Sequence, residues 1–108
     1  MKPSNLSVDM NSHSTGTYII NHTFKISNRG LVLAGKILEG AISIGDLIEF
    51  RISDSTRRRS ITGIEGIRTS NSTNGNIGLL ILCENDDEII ELNDWEPNNE
   101  IGKIFKAD

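Results

Sequence analysis

Between Arg29 and Phe50 the chain reads RGLVLAGKILEGAISIGDLIEF, with Gly35, Gly40 and Gly45 dividing apolar runs too short for ordinary helices. Leu31 to Leu38 carries Gly35 inside it and is bounded by turn residues, so it reads as a strand. A glycine in mid-strand weakens pairing and contributes no side chain, and it marks a bulge, a sharp bend or a close backbone approach. Small barrels need such bends. Ala41 to Ile44 alternates small or polar residues with apolar ones, Gly45-Asp46 interrupts, and Leu47 to Ile52 resumes as an extended run. Three extended segments in close succession are expected.

The same stretch nearly matches a phosphate-binding loop, G-x-x-x-x-G-K-[ST], at Gly30 to Lys36. The position that should hold a Mg²⁺-binding hydroxyl is Ile37, and the intervening residues are strand formers whose amides would not wrap a phosphate. The match is rejected, and no nucleotide hydrolysis is expected.

At 108 residues the chain is long enough for one domain with a real core, without disulfides or metal. The formal charge of −4 excludes the broad basic face that drives non-specific nucleic-acid binding, and leaves room for local basic patches. Cys83 is the single cysteine, so neither an intramolecular disulfide nor a cysteine-rich zinc site is possible, and a cytoplasmic setting fits. No segment approaches the ~20 consecutive apolar residues that span a bilayer, and no membrane association is expected. The sequons at Asn5, Asn21 and Asn71 carry no weight without a secretory signal.

In chain order, residues 1–16 are rich in Ser, Asn and Thr without periodicity and read as a flexible arm, leaving 17–108 as one domain. Tyr18 to Ser27 is a strand with Ile20, Phe24 and Ile26 on one parity, and Asn28-Arg29-Gly30 turns into the next. Ser53 to Ser60 reads as a polar loop bearing Arg57-Arg58-Arg59. These arginines are either a phosphate contact or, the reading favoured here, a solvated hairpin tip or charged edge strand. Ile61 to Arg68 and Asn76 to Cys83 are further strands, the latter the most apolar, with Cys83 as a small core side chain. Asn85 followed by Glu88 resembles a capping box, and predicts a short helix in an insertion over 85–97 with Ile89 and Leu92 on one face. Its carboxylates, Asp86, Asp87, Glu88, Glu91 and Asp94, lack calcium-loop spacing and read as a solvated acidic face. Trp95 is either a partner-binding anchor or a lid over the end of the fold. Ile101 to Lys106 is the last strand. His13 and His22 have no companion at metal-ligand spacing, and no catalytic constellation stands out; neither an enzyme nor a cofactor is expected.

Phe24 to Asp46, with its ordered glycines, followed by Thr62-Gly63-Ile64-Glu65 and Asn76-Ile77-Gly78-Leu79-Leu80, resembles the second domain of translational GTPases such as elongation factor Tu, over about residues 22–106. The resemblance implies an all-β fold, a closed antiparallel barrel of six strands, here with one short helix. It also implies a stand-alone, non-enzymatic module for RNA (the tRNA acceptor end or the ribosome) or the translation machinery, since hydrolysis belongs to the family's GTPase domain. By the same resemblance, the terminal adenosine of tRNA would meet Glu65, Arg68, Asn76, Ile77 and Leu80, with Phe24 near the aminoacyl group. The turn at Arg29-Gly30 would lie near ribosomal RNA. Carboxylate and amide groups can read a base or ribose edge while apolar side chains support its face. The alternative is a protein-interaction module using the acidic 85–97 segment and Trp95.

Overall fold

A computed structural model describes residues 14–26, 30–66 and 76–107. The elements are β1 (Gly16–Ile26), β2 (Gly30–Gly40), β3 (Leu47–Ile52), β4 (Ser55–Gly66), β5 (Ile77–Ile81), α1 (Asp86–Asp94) and β6 (Glu100–Phe105). The strands close into a barrel in the order β1-β2-β5-β4-β3-β6, and all six pairings are antiparallel. The expected all-β architecture, a closed six-stranded antiparallel barrel with one short helix, is the observed one. Thr15 N donates to Ile104 O just before β1. Residues 1–13 of the expected arm, including His13, lie outside the described residues, as do Asn28, Arg29 and 67–75.

Alternation along each strand builds the core. Tyr18 and Ile20, Leu31 and Leu33, Ile48 and Phe50, Ile61, Leu79 and Ile81, and Ile104 face inward and are buried, and Leu92 of α1 joins them from one end. Tyr18 reaches across the interior, its hydroxyl 2.8 Å from Leu33 O and 2.7 Å from Ile77 O. Burial pushes its phenol well above the ordinary value, so the group remains a donor. Its one proton serves one carbonyl at a time. Tyr18→Phe is expected to cost about 1 kcal/mol, the usual net worth of a buried hydrogen bond, read as a lowered urea midpoint at unchanged slope. An unchanged midpoint would show that the hydroxyl does not hold β1 to the β2–β5 seam.

Three local readings are corrected. Ile20, Phe24 and Ile26 do not share one face: the irregularity between Ile20 and His22 resets the alternation, leaving Ile20 in the core and Phe24 40% exposed. Ala41 to Ile44 is not a strand but part of a loop built on Asp46, which is buried. Asp46 Oδ2 accepts from Ser43 N at 2.9 Å, its own N–H donates to Ser43 O, and the loop is tied to β4 by Gly45 N to Ile61 O and Ile61 N to Asp46 O, both 2.8 Å. An Asp that satisfies its own turn competes with strand pairing, and here it wins. Nor is Ser53 to Ser60 a loop. The chain reverses at Ser53-Asp54, with Ser53 at φ 55°, and Ser55 already pairs with Ile52 as β4 begins.

Gly35 sits where β2 parts from β5, paired with Ile20 on one side and Ile77 on the other. A Cβ there would lie 1.7 Å from Ile19 O. The glycine therefore serves a close backbone approach beside the irregularity between Ile20 and His22.

Candidate nucleic-acid interface

Strand register lays two rows of side chains across the outer face of β1, β2, β5 and β4. One row is Phe24, Val32, Leu80 and Gly63; the next is His22, Ala34, Gly78 and Glu65. They alternate with inward-facing neighbours Leu33 and Leu79, so they share the solvent side. The result is a low floor of Ala34, Gly63 and Gly78 beside an aromatic ring that is 40% exposed, with Glu65 at one end and His22 at the other. Val32 and Leu80 lie flush with this floor, nearly covered. A small cavity of about 40 Å³ opens there, lined by Phe24, Ile26, Val32, Glu65, Gly78 and Leu80. A planar group laid on glycine and leucine could stack edge or face on Phe24 while the Glu65 carboxylate accepts hydrogen bonds.

Of the residues singled out from the sequence, Phe24, Glu65 and Leu80 come together on this face. Asn76 precedes β5. Ile77 has inward parity and packs against the core, so it supports the floor from below. Gly30, at φ 109°, opens β2 opposite Ile26. Arg29 and Arg68 lie outside the described residues. Sequence reading missed Ile26, Val32, Gly63 and Gly78, because which residues share a row depends on register, and the bulge between Ile61 and Gly63 resets that register.

No protein-family model matches this chain.

The arginine triplet is engaged elsewhere. Arg57 and Arg59 stand opposite Phe50 and Ile48, on the core side of β4, where α1 covers the barrel end. Arg59 Nη2 lies 2.6 Å from Glu88 Oε2, and Arg57 Nη1 lies 3.0 Å from the same oxygen and 2.7 Å from Glu91 Oε1. Glu88 is buried, not part of a solvated acidic face. Burial alone would raise its pKa, but the hydrogen bond from Arg59, the Glu84 amide and Arg57 outweigh it and hold the carboxyl below its ordinary value. The exposed Glu91 is lowered by its hydrogen bonds from Arg57. Asn85 caps α1 by accepting from Glu88 N at 2.9 Å, while the Glu88 carboxylate takes the Glu84 amide at 2.7 Å. The cap therefore departs from a strict capping box by one residue, with the same carboxylate also holding both arginines.

Arg58, of opposite parity, pairs with Glu49 at 2.8 Å and stands over the Phe105 ring at 4.2 Å from its centroid. All three guanidinium groups are thus matched by carboxylates, which removes the support for a ready phosphate contact here. Trp95 stacks on Phe50, ring centroids 5.6 Å apart, and is half-buried as a lid over the core. The Cys83 thiol, pushed up to about 11 first by burial and then by Glu88, is an unreactive group beside the core. Among the described residues no three His, Cys, Asp or Glu side chains are placed to hold a metal, and no helix is long and apolar enough to cross a membrane.

Proposed function

We propose that this protein is a non-enzymatic, cytoplasmic RNA-binding module akin to the second domain of translational GTPases. Its outer β1–β2–β5–β4 face would hold an unpaired RNA end such as the tRNA acceptor terminus. The reading is carried by one arrangement: an exposed Phe24 beside a floor of Gly63, Gly78 and Ala34, with the Glu65 carboxylate at its end. Single-stranded bases are recognised by stacking on aromatic side chains and by hydrogen bonds to base and ribose edges, and this face supplies both. Gly63, partly open to solvent, would let a nucleobase lie close against the sheet. The resemblance in the ordered glycines of Phe24 to Asp46 and in Thr62 to Glu65 supports the same assignment.

Fluorescence anisotropy with tRNA, and with tRNA lacking its 3′-terminal adenosine, tests the proposal. Phe24→Ala is expected to weaken binding roughly tenfold, within the range for loss of one base–aromatic stack, with no change in thermal midpoint. Intact and truncated tRNA should become equivalent in that variant. Equal affinity of wild type and Phe24→Ala for intact tRNA, or no binding at low salt, would overturn it.

A further inference from the structure

On the far side of β1, residues 21–23 and the chain from Asn93 to Asn98 enclose an open cleft of about 890 Å³, within the size range of ligand sites. Its walls are fixed. Thr23 Oγ1 lies 2.6 Å from Leu92 O, Lys25 N donates to Asn93 Oδ1 at 3.0 Å, and Asn21 Nδ2 donates to Asn99 Oδ1 at 2.6 Å. Trp95, stacked on Phe50 and half-buried, is among the residues that line the cleft.

The cleft is electrostatically one-sided. It receives the C-terminal end of α1, where the helix dipole concentrates negative charge, yet the last turn carries no basic residue. Asp94 and Glu96 add two carboxylates, neither in an ion pair among the described residues. Eight of the fifteen acidic side chains and none of the eleven basic ones fall within residues 84–100, and His22 is the one side chain on the walls able to carry positive charge. Elsewhere the same chain completes a comparable arrangement by itself: Arg58 lies over the Phe105 ring with Glu49 on its guanidinium. At Trp95 the ring and the carboxylates are present and the guanidinium is not.

We infer that this cleft binds an arginine side chain of a partner polypeptide, the guanidinium stacking on Trp95 and pairing with Asp94 and Glu96. Indole is the strongest of the aromatic partners for a cation, and the planar guanidinium both stacks and pairs with carboxylates in a way lysine does not. This site adjoins the Phe24 face at His22 but uses neither Phe24, Glu65 nor Leu80, and it does not depend on the RNA reading.

Trp95 is the single tryptophan, so its fluorescence reports the site directly. Acetyl-tetra-arginine amide at low salt is expected to give a saturable change in emission that weakens as salt rises. Asp94→Asn combined with Glu96→Gln, both exposed and outside the core, should raise the Kd about tenfold, as loss of two exposed ion pairs would. Phe24→Ala should leave peptide binding unaltered. The inference is overturned by no saturable change, by an unchanged Kd in the double variant, or by equal binding of tetra-lysine, which would reduce the site to diffuse charge. A saturable response to an RNA oligomer that the double variant strengthens or abolishes would also overturn it, by assigning the cleft to nucleic acid.

Discussion

Gly35→Ala is expected to destabilise the barrel by more than about 4 kcal/mol, enough to leave little folded protein when a domain has only about 5–15 kcal/mol in total. The added Cβ would meet Ile19 O at 1.7 Å and Ile19 C at 2.9 Å, and both are backbone atoms of the neighbouring strand. No rotamer change relieves such a contact. β1 and β2 would have to separate where β2 also leaves β5, which disturbs the closure between Ile20 and Ile77. Gly66→Ala is the control: no neighbouring atom lies within 4 Å of the point its new methyl group would occupy, and its effect should stay within about 0.5 kcal/mol. Urea denaturation followed by circular dichroism distinguishes the two. A Gly35→Ala protein as stable as the Gly66→Ala one would mean that the β1–β2 seam is far looser than its register indicates.

The second large effect is expected at Glu88. Removing the carboxylate by Glu88→Ala leaves Arg57 and Arg59, both mostly covered, without their shared partner, and also strips the Glu84 amide of its acceptor. Breaking a buried pair from one side costs about 3 kcal/mol or more, chiefly through the uncompensated charge left behind. Glu91→Ala should cost far less than Glu88→Ala, since that carboxylate is solvent-exposed. The pH dependence has a fixed sign. The folded pKa of Glu88 is below the unfolded value of about 4.3, so its contribution is complete above that value and is lost as pH falls through the folded one. The stability gap between wild type and Glu88→Ala, measured by urea titration, should therefore be full at neutral pH and shrink in acid below the ordinary carboxylate range. A gap that stays constant down to pH ~2 would assign the loss to packing, with no role for the charge.

The features legible in the sequence were those with a local cause. Parity marks β1 as a strand, though not which face Phe24 takes; a dense apolar run marks β5; Gly35 marks a bulge, bend or close approach; Asn85 and Glu88 mark the start of α1. What escaped depended on partners distant in the chain. Asp46 looked like a strand breaker, and only its bonds to Ser43 and its tie to Ile61 make 41–46 a closed loop. Arg57 and Arg59 looked solvated because nothing local reveals that their strand faces α1. The one available signal was complementarity: two arginines at i, i+2 on one strand face, and Glu88 and Glu91 at i, i+3 on one helix face. For the candidate interface, Phe24, Glu65 and Leu80 could be named, but the glycine and alanine floor between them emerges only once four strands are set in register.

The most direct test of the proposed function is an NMR titration of the ¹⁵N-labelled protein with a short single-stranded RNA ending in CCA at low salt. Saturable amide shifts centred on Phe24, Val32, Ala34, Gly63, Gly78 and Leu80 are expected, with Arg51 of β3 and Lys103 of β6, outside that four-strand face, unmoved. Absent shifts, or shifts confined to β3 and β6, would contradict the proposal.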